Sequence, residues 1–553
     1  MRRGLSLFLV GLPFLPGACG SEESSSSESS ASGAGLGATA GATNAGPVGG
    51  GGTGTGSGAN GGTGPSGGAA GSSTTGGAPP ASGGSAASGG TTPTGGSAVA
   101  GTPASGGVSG GVSGSAAGTG GSGGAQAGAS TGPIAERLAI ADVWSGHPVN
   151  FALVTHGDRQ FAAFYDSERR MTIAGRTLGS KEWKLVRLPT TLGWDSHNHI
   201  AMAADSEGNL HVSGNMHNVA LIYFRTKTPL DIDSFERVPS MVGTNEQSVT
   251  YPEFFDGPQG ELIFCYRDGG SGNGNHIFDV YDPTQKSWKR LLETPLTDGE
   301  GSRNAYPVGP IQGPDGEFHL VWVWRDTPDA TTNHDLSYAR SKNLVDWQSA
   351  AGAALQLPIT LGGSDIVDPV PINRGMINNN TKVGFDSQKR PVVVYHKYDA
   401  AGSTQLFNAR FEDGKWVAHQ TSEWDYRWDF GGQGTLVFEI EVEGVVAQPD
   451  GALTQRFYHA RYGGWGAFRL DEATLKAVET IEPPLPYPRE LDAPESATQG
   501  MVVRWQADHG KQGAGAQVNY YLRWETLESN RDMPRDIIPP ATTLTLYGFR
   551  AAR

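Results

Sequence analysis

The run Gly316-Glu317-Phe318-His319-Leu320-Val321-Trp322 is a short apolar strand that begins at a glycine turn. The same order returns at Gly208-Asn209-Leu210-His211-Val212 and at Gly260-Glu261-Leu262-Ile263-Phe264. Short runs of this kind, bounded by turn residues, are typical of β-strands. Related runs lie at Phe161 to Tyr165, Pro391 to Tyr395, Gly444 to Val446 and Met501 to Trp505. The chain therefore repeats one small β unit.

Each unit continues with further strand-like runs. In several units a second run follows, as in Leu336 to Ser341 and Gln405 to Arg410, and helical periodicity is almost absent. A tryptophan-bearing strand closes the unit at Trp183, Trp288, Trp347 and Trp416. Seven starts between residues 134 and 553 give about 60 residues per unit, the size of a propeller blade with generous loops.

We therefore expect an all-β chain whose residues 134–553 form a seven-bladed β-propeller. The alternative is a two-sheet sandwich, which does not usually repeat the same strand order seven times. A propeller must close its ring so that no sheet edge stays open. We expect a strand near Ala141 to Thr155 to pair for this purpose with one near Thr542 to Phe549.

The N-terminus is typical of an export signal. Arg2 and Arg3 precede an apolar run from Leu5 to Leu15, too short to span a bilayer. The run ends in Leu15-Pro16-Gly17-Ala18-Cys19, which resembles a bacterial lipobox apart from Pro16. Residues 1–18 are thus predicted to be a lipoprotein signal peptide and Cys19 the lipidated residue; the alternative is an ordinary secretory signal with an incidental cysteine.

Residues 19–133 are predicted to be a disordered tether, because they hold almost nothing but Gly, Ser, Ala, Thr and Pro. Residues 134–553 carry 39 basic and 53 acidic side chains, a net charge near −14. That charge disfavours binding to nucleic acid. Cys265 has no cysteine partner in the mature domain, and we expect a buried thiol; a zinc site with His276 or His334 is the alternative.

The densest polar cluster is Asp195-Ser196-His197-Asn198-His199, followed by His211 and by His217-Asn218. His197 and His217 flank a strand pair, so they are expected to meet on one face near the central channel. Isolated histidines are more often structural than catalytic. Four of them within 21 residues, three beside an asparagine, favour a functional site.

Two successive units share a further pattern. Ser248 to Phe254 contains Tyr251-Pro252 and is followed by Arg267-Asp268, and Tyr306-Pro307 is followed by Arg325-Asp326. The sequence predicts the Tyr-Pro pairs before the first strand of each unit and the Arg-Asp pairs after it. An arginine at the end of an apolar strand can grip a carboxylate in a cleft; the alternative is an ion pair of Arg267 with Asp268 or Glu253.

Together these motifs resemble the BNR-4 repeat family, most specifically from about Trp194 to Trp347. That family includes seven-bladed propeller polysaccharide lyases that act on ulvan, a sulfated rhamnose and uronic acid polymer. The resemblance implies that His197 and Tyr251 are the catalytic pair and that His217 and Arg267 hold the uronate carboxylate. It places Tyr306 at a further subsite, and Asn198 is expected to contact substrate as well.

The expected activity is therefore β-elimination on an acidic, ulvan-like polysaccharide. A neutral His197 takes the C5 proton, the Tyr251 hydroxyl protonates the leaving oxygen, and Arg267 with His217 stabilises the charged carboxylate. Tyr251 as the base is the reverse assignment. The scheme requires no metal or other cofactor and leaves room for a structural metal ion. Because the net charge repels a polyanion, a locally basic groove is expected, with Arg267, Arg303 and Arg325 as candidates.

Two other functions compete with a lyase. A sialidase-like hydrolase needs a carboxylate pair about the cleaved bond, for which Asp365 and Asp368 are the candidates. A non-catalytic glycan-binding propeller would use aromatic clusters such as Trp424 to Phe430, which are also consistent with core packing. In each case we expect an exported, membrane-anchored lipoprotein that acts as a monomer.

Overall fold

The structure is a computed structural model that describes residues 133–512 and 517–550. The predicted signal peptide, the lipidation site Cys19 and nearly all of the tether lie outside the described residues. The described part is all-β: it contains strands and short 3-10 turns but no α-helix. No helix in these ranges has the length and apolar character needed to cross a membrane.

The first sixteen strands cover residues 134–312. In chain order they are β1 (Ile134–Val143), β2 (Ala152–Gly157), β3 (Arg159–Tyr165), β4 (Arg170–Thr177), β5 (Lys184–Thr191), β6 (Ile200–Ala204), β7 (Leu210–Gly214), β8 (His217–Val219), β9 (Tyr223–Thr226), β10 (Phe235–Arg237), β11 (Val249–Asp256), β12 (Leu262–Gly270), β13 (Asn273–Asp282), β14 (Ser287–Arg290), β15 (Thr297–Asp298) and β16 (Asn304–Gln312).

Sixteen more strands and five 3-10 turns complete the described part. The strands are β17 (Phe318–Arg325), β18 (Asn333–Ser341), β19 (Trp347–Gln348), β20 (Asp365–Asp368), β21 (Lys382–Phe385), β22 (Pro391–Tyr398), β23 (Thr404–Glu412), β24 (Lys415–Gln420), β25 (Ile440–Ala447), β26 (Leu453–His459), β27 (Gly464–Leu470), β28 (Ala477–Ile481), β29 (Met501–Ala507), β30 (Lys511–Gln512), β31 (Val518–Leu527) and β32 (Thr542–Arg550). The turns are Ile232–Ser234, Ala330–Thr332, Leu361–Gly363, Ala460–Tyr462 and Arg489–Asp492.

Most described strands pair antiparallel in successive groups of four, which we call units one to seven. The units are β2 to β5; β6, β7, β9 and β10; β11 to β14; β16 to β19; β21 to β24; β25 to β28; and β29, β31, β32 and β1. Neighbouring units meet through their first strands: β2 lies beside β29 and β6, β6 lies beside β11, and β21 pairs with β25. This arrangement is propeller-like.

The last unit combines strands from both ends of the described chain. β1 pairs antiparallel with β32, so that Ala141 lies opposite Leu544 and Val143 opposite Thr542. The expected closing pair is therefore confirmed, with one correction: the N-terminal strand begins at Ile134, and residues 152–155 belong to β2 of unit one. β1, which ends at Val143, belongs to unit seven, and the chain turns before β2 begins unit one.

The core lies between units, because each sheet is apolar on both faces. One cluster joins Tyr306 and Val323 of unit four to Val393 and Phe407 of unit five. Other clusters join units two and three, three and four, and five and six in the same way. Each unit therefore depends on its neighbours for burial of its apolar surface.

The repeated motif has a structural role at its histidine. The His211 Nδ1 atom is hydrogen-bonded to the Tyr223 hydroxyl at 2.7 Å, and Nε2 lies 3.3 Å from Asp205. His319 makes the same two kinds of contact two units later. His211 is fully buried and does not reach a cavity wall, so its hydrogen bonds stabilise its own unit.

Replacement of Leu546 by alanine tests the closing sheet. Leu546 lies in β32, is fully buried, and packs between unit seven and units one and two. We expect Leu546→Ala to lower the free energy of unfolding by about 2–5 kcal/mol, because it leaves a cavity in the apolar core between unit seven and its neighbours. Leu185→Ala is the matched control, since Leu185 is 46% exposed. Equal effects of the two substitutions in denaturant titrations would contradict this account of the closure.

Candidate active site

A cavity of about 190 Å³ collects most of the residues that the sequence singled out. His197, His217, Tyr251, Arg267 and Tyr306 all line it. Residues from later units and from the segment 433–438, which connects units five and six, line the cavity as well. Among the described residues that line this cavity there is no aspartate or glutamate.

The two histidines meet as the sequence predicted. Their rings stack with centroids 4.1 Å apart and an interplanar angle of 25°. One carboxylate bridges them from behind: Asp195 Oδ1 lies 2.7 Å from the Nδ1 atom of His197, and Oδ2 lies 2.5 Å from the Nδ1 atom of His217. An ionised carboxylate only accepts hydrogen bonds, so both Nδ1 atoms carry hydrogen. The Nε2 atom of a neutral ring in this pair is therefore a free base.

The charges in this group follow from its burial and its hydrogen bonds. Burial alone raises the pKa of Asp195, but the hydrogen bonds from His197 and His217 outweigh it and hold that pKa well below its ordinary value. Burial lowers the pKa of His217; His197 and Arg267 lower it further, against the raising effect of Asp195. The group is thus an ionised carboxylate that bridges two imidazoles, and the burial of His217 disfavours a second proton on that ring.

Tyr251 reaches the cavity through an irregularity in β11. The pairing of β11 with β12 shifts between Thr250 and Glu253, and Tyr251 itself has φ +57°, a left-handed conformation rare for a tyrosine. Pro252 follows and has no backbone N–H, which a bulge tolerates. The bulge turns the Tyr251 ring toward the cavity, where its centroid lies 5.7 Å from that of His197.

The environment keeps the Tyr251 phenol protonated. Burial raises the pKa of Tyr251 to about 12, although Arg267 and Arg325 lower it in part. The Arg267 guanidinium lies 5.1 Å from the centre of the Tyr251 ring. At neutral pH this phenol is therefore a proton donor rather than a base.

Two arginines bring positive charge to the cavity wall. Arg267 donates hydrogen bonds to the Gly269 carbonyl at 3.0 Å and to Thr250 Oγ1 at 2.9 Å. Arg325 donates to the carbonyl oxygens of Thr327 and Pro328 and to Asn378 Oδ1.

All of these acceptors are neutral. Within the described part of the chain neither guanidinium has a carboxylate within 4.0 Å, so the alternative pairing of Arg267 with Asp268 or Glu253 does not form. The positive charge of both arginines is therefore left for a ligand.

Tyr306 lies between these arginines. Its hydroxyl is 2.7 Å from Ser271 Oγ, and Arg267 and Arg325 lie 5.8 and 5.5 Å from its ring centre. Burial raises the pKa of Tyr306, but the two arginines outweigh it, and the net pKa is lowered. The predicted pattern of the two units is corrected in one respect: both Tyr-Pro pairs lie within the first strands, β11 and β16, rather than before them.

Several candidates lie elsewhere. Asn198 is not on the cavity wall; its carbonyl accepts a hydrogen bond from the Tyr165 hydroxyl at 2.7 Å, and its contact with substrate stays a prediction. Arg303, expected in the basic groove, is instead paired with Glu300 at 2.9 Å and with Asp326 at 3.6 Å. Two carboxylates thus lie within ion-pair distance of Arg303, whereas none of the described carboxylates lies so close to Arg267.

The carboxylates considered for a hydrolase are engaged in the fold. Asp365 and Asp368 lie in β20 rather than in a loop, and neither lines the cavity. Asp365 accepts hydrogen bonds from the Ala350 N–H and the Trp416 indole. Asp368 accepts from the Tyr395 hydroxyl and from Lys397.

One group in the described residues has the spacing of a metal site: Asp195, His197 and His217, whose ligand atoms lie within 4.8 Å of one another. The same atoms already form the two hydrogen bonds of the bridge, so an ion would have to replace them. Cys265 is buried, and neither His276 nor His334 joins it in a group of three ligands among the described residues. The expected buried thiol is confirmed.

Sequence reasoning missed two members of the site. Asp195 belongs to the histidine motif, and the signal that could have identified its role is its spacing, because a carboxylate two residues before a histidine can receive its Nδ1–H. Asn379, which hydrogen-bonds Tyr251, lies in the connection between β20 and β21, where no pattern marks it. Arg325 was considered for the groove but not for the carboxylate site.

Comparison with known proteins finds a family model that matches part of the chain. Residues 159–424 match the BNR repeat-containing family. The resemblance expected from the sequence is thereby confirmed. The matched BNR repeat segment runs from unit one to the end of unit five and contains the histidines, the tyrosines and both arginines of the cavity.

Individual proteins are similar to this chain over a short stretch of sequence or in fold. A 65-residue stretch is 35% identical to the short isoform of an ulvan lyase from Alteromonas sp. (strain LOR) and spans 12% of this chain and 12% of that protein. The crystal structure of the polysaccharide lyase Uly1 superposes with a TM-score of 0.50 at 13% identity, covering 75% of this chain and 99% of that one. A PL25 ulvan lyase gives a TM-score of 0.49 at 12% identity, covering 74% and 95%.

Substitution of Asp195 by asparagine tests the bridge directly. The amide keeps the shape of the carboxylate but offers one acceptor and one donor, so it can satisfy only one Nδ1–H. We expect one of the two rings to change to the Nε2–H tautomer, which long-range proton–nitrogen NMR of the imidazoles would detect. The His211 signals serve as the internal control. Retention of Nδ1–H on both rings would contradict the bridging role of Asp195.

Proposed function

We propose that this protein is a polysaccharide lyase that cleaves a uronate-containing, ulvan-like polymer by β-elimination. The observation that carries the proposal is the charge of the cavity wall. Arg267 and Arg325 bring two positive charges that no carboxylate neutralises, and the wall contains no acidic residue among the described ones. A carboxylate of a uronic acid is the complementary ligand, because charge-assisted bonds to arginine are among the strongest that a protein offers.

In this proposal the bound carboxylate lies against Arg267 and His217. Loss of the C5 proton moves negative charge onto the carboxylate, where a positioned guanidinium stabilises it most. The uronate also favours protonation of His217. The Nε2–H of His217 can then donate to the uronate carboxylate, while its Nδ1–H stays hydrogen-bonded to Asp195. The ring of His197, whose centroid lies 4.1 Å from that of His217, is then left to act as the base.

The acid and base follow from the same geometry. The free Nε2 atom of His197 takes the C5 proton, and the Tyr251 hydroxyl donates a proton to the departing C4 oxygen. The raised pKa of Tyr251, about 12, supports this assignment over the reverse one, since its phenolate is scarce at neutral pH. The electron pair of the broken C5–H bond forms the C4–C5 double bond, and the C4–O bond breaks.

The cavity disfavours the hydrolase. Glycoside hydrolysis requires two carboxyl groups about the scissile bond. The described wall offers none, and Asp365 and Asp368 are engaged elsewhere. We further propose that the propeller has seven blades, that the protein acts as a monomer, and that it is exported and anchored by a lipid on Cys19; the seven strand units and the N-terminal sequence support these points.

The product decides whether elimination occurs. We expect ulvan or another uronate polymer mixed with the protein to yield the ultraviolet absorbance of a conjugated C4–C5 double bond. His197→Ala should lower the rate by about 10²–10⁴-fold, because general-base catalysis is lost. New reducing ends without this absorbance would indicate hydrolysis instead. Retained binding without either product would leave a glycan-binding propeller.

The carboxylate site is tested by a pair of arginine substitutions. We expect Arg267→Gln to lower kcat/KM by about 10²-fold or more, since it removes a charge that the transition state needs most. Arg303→Gln is the matched control, because its guanidinium is already paired with Glu300 and Asp326. Its kcat/KM should stay within about twofold of the unmodified protein. Similar losses in both variants would argue against a specific role for Arg267.

A further inference from the structure

Asp532 approaches the catalytic histidine from the far end of the chain. It lies in the connection between β31 and β32, outside the segment that matches the family. Its Oδ1 atom accepts the Ser196 N–H at 3.0 Å across 336 residues of sequence. Its Oδ2 atom accepts the Thr435 N–H at 2.8 Å and lies 3.7 Å from His197 Nδ1. One carboxylate thus joins the loop that carries Ser196 and His197 to the segment that carries Thr435.

The turn that presents Asp532 has an unusual backbone. Arg531 and Asp532 both have positive φ, 54° and 61°, a conformation that two successive non-glycine residues rarely adopt. Hydrogen bonds hold the turn closed: the Met533 N–H donates to the Asn530 carbonyl, and the Asn530 amide donates to the Met533 carbonyl, each at 2.9 Å. Such conformations persist where surrounding contacts enforce them, and they concentrate at functional sites.

The same turn also grips the loop between units five and six. Arg531 donates to the carbonyl oxygens of Gly431 and Gln433 at 2.8 and 3.1 Å. Gly434 packs so closely on this turn that a Cβ atom there would lie 2.6 Å from the Arg531 carbonyl oxygen. Thr435, the next residue, places its hydroxyl 3.4 Å from His197 Nδ1. Three segments distant in sequence therefore converge behind one imidazole.

We propose that Asp532 is a positioning residue for His197. The inference rests on the proposed function, in which His197 removes the proton. Asp195 fixes the tautomer of the imidazole from within its own loop, and Asp532 fixes the place of that loop relative to the segment that carries Thr435. Asp532 is not on the cavity wall, so it acts on the reaction through the segments it holds, those of Ser196 and Thr435, and thereby through the position of His197.

The expected kinetic effect separates positioning from binding. Asp532→Asn keeps the size of the side chain, but its amide N–H₂ meets one of the two backbone N–H donors and breaks that bond. We expect kcat to fall about 10- to 100-fold while KM stays within about twofold, because the arginines that hold the substrate are untouched. Asp536→Asn, an exposed residue of the same loop, is the control and should leave both constants unchanged.

A second variant of the full-length protein tests the same contact. If Asp532→Asn lowers the thermal unfolding temperature too far for kinetics, Gly434→Ala separates the same segments without loss of the carboxylate and should give the same fall in kcat. A kcat within about twofold of the unmodified protein in a folded Asp532→Asn variant would overturn the proposal. So would a rise in KM that accounts for the whole loss.

An NMR readout distinguishes this failure from failure of the proposed function. The imidazole signals of His197, assigned with His197→Gln, should shift in Asp532→Asn while those of His211 do not. This measurement needs no substrate. A protein without lyase activity but with shifted His197 signals would contradict the lyase and support the positioning contact; an active protein with unshifted signals would do the reverse.

Discussion

The pairing of β1 with β32 is the constraint on which the rest of the structure depends. Seven units that each expose an apolar face can bury it only against neighbours, and the last sheet takes its fourth strand, β1, from the other end of the described chain. This pairing also fixes where the connection before β32 lies. Residues 529–532 thereby come beside the loop of His197, more than 300 positions earlier in sequence.

The cavity shows how an acidic protein can present a cationic site. The folded part carries a net charge near −14, yet the described cavity wall has two arginines and no carboxylate. The acidic groups that serve the site stand behind it: Asp195 is shielded by the two imidazoles and Asp532 by backbone N–H groups. Because a low-dielectric cleft weights near charges over distant ones, local placement outweighs the sign of the total.

Residue types and spacing made part of this site predictable. Strand runs that repeat with glycine turns indicated the all-β class, and histidines at both ends of one strand pair implied that His197 and His217 would meet. Other parts depend on geometry that spacing does not encode. Tyr251 reaches the cavity because a bulge and a left-handed φ turn its side chain toward it. Arg303 is instead engaged in ion pairs with Glu300 and Asp326.

The amino-acid sequence alone predicted the repeated β unit, the pairing of the chain ends and the charged and aromatic side chains His197, His217, Tyr251, Arg267 and Tyr306 of the cavity wall, because strand runs, turn residues and short motifs can be read from local sequence. Only the folded chain could show that Asp195 bridges two rings, that Arg267 and Arg325 keep neutral partners, and that Asp532 reaches Ser196. These are contacts between segments far apart in sequence, and their distances depend on how the sheets pack around one another rather than on any local pattern.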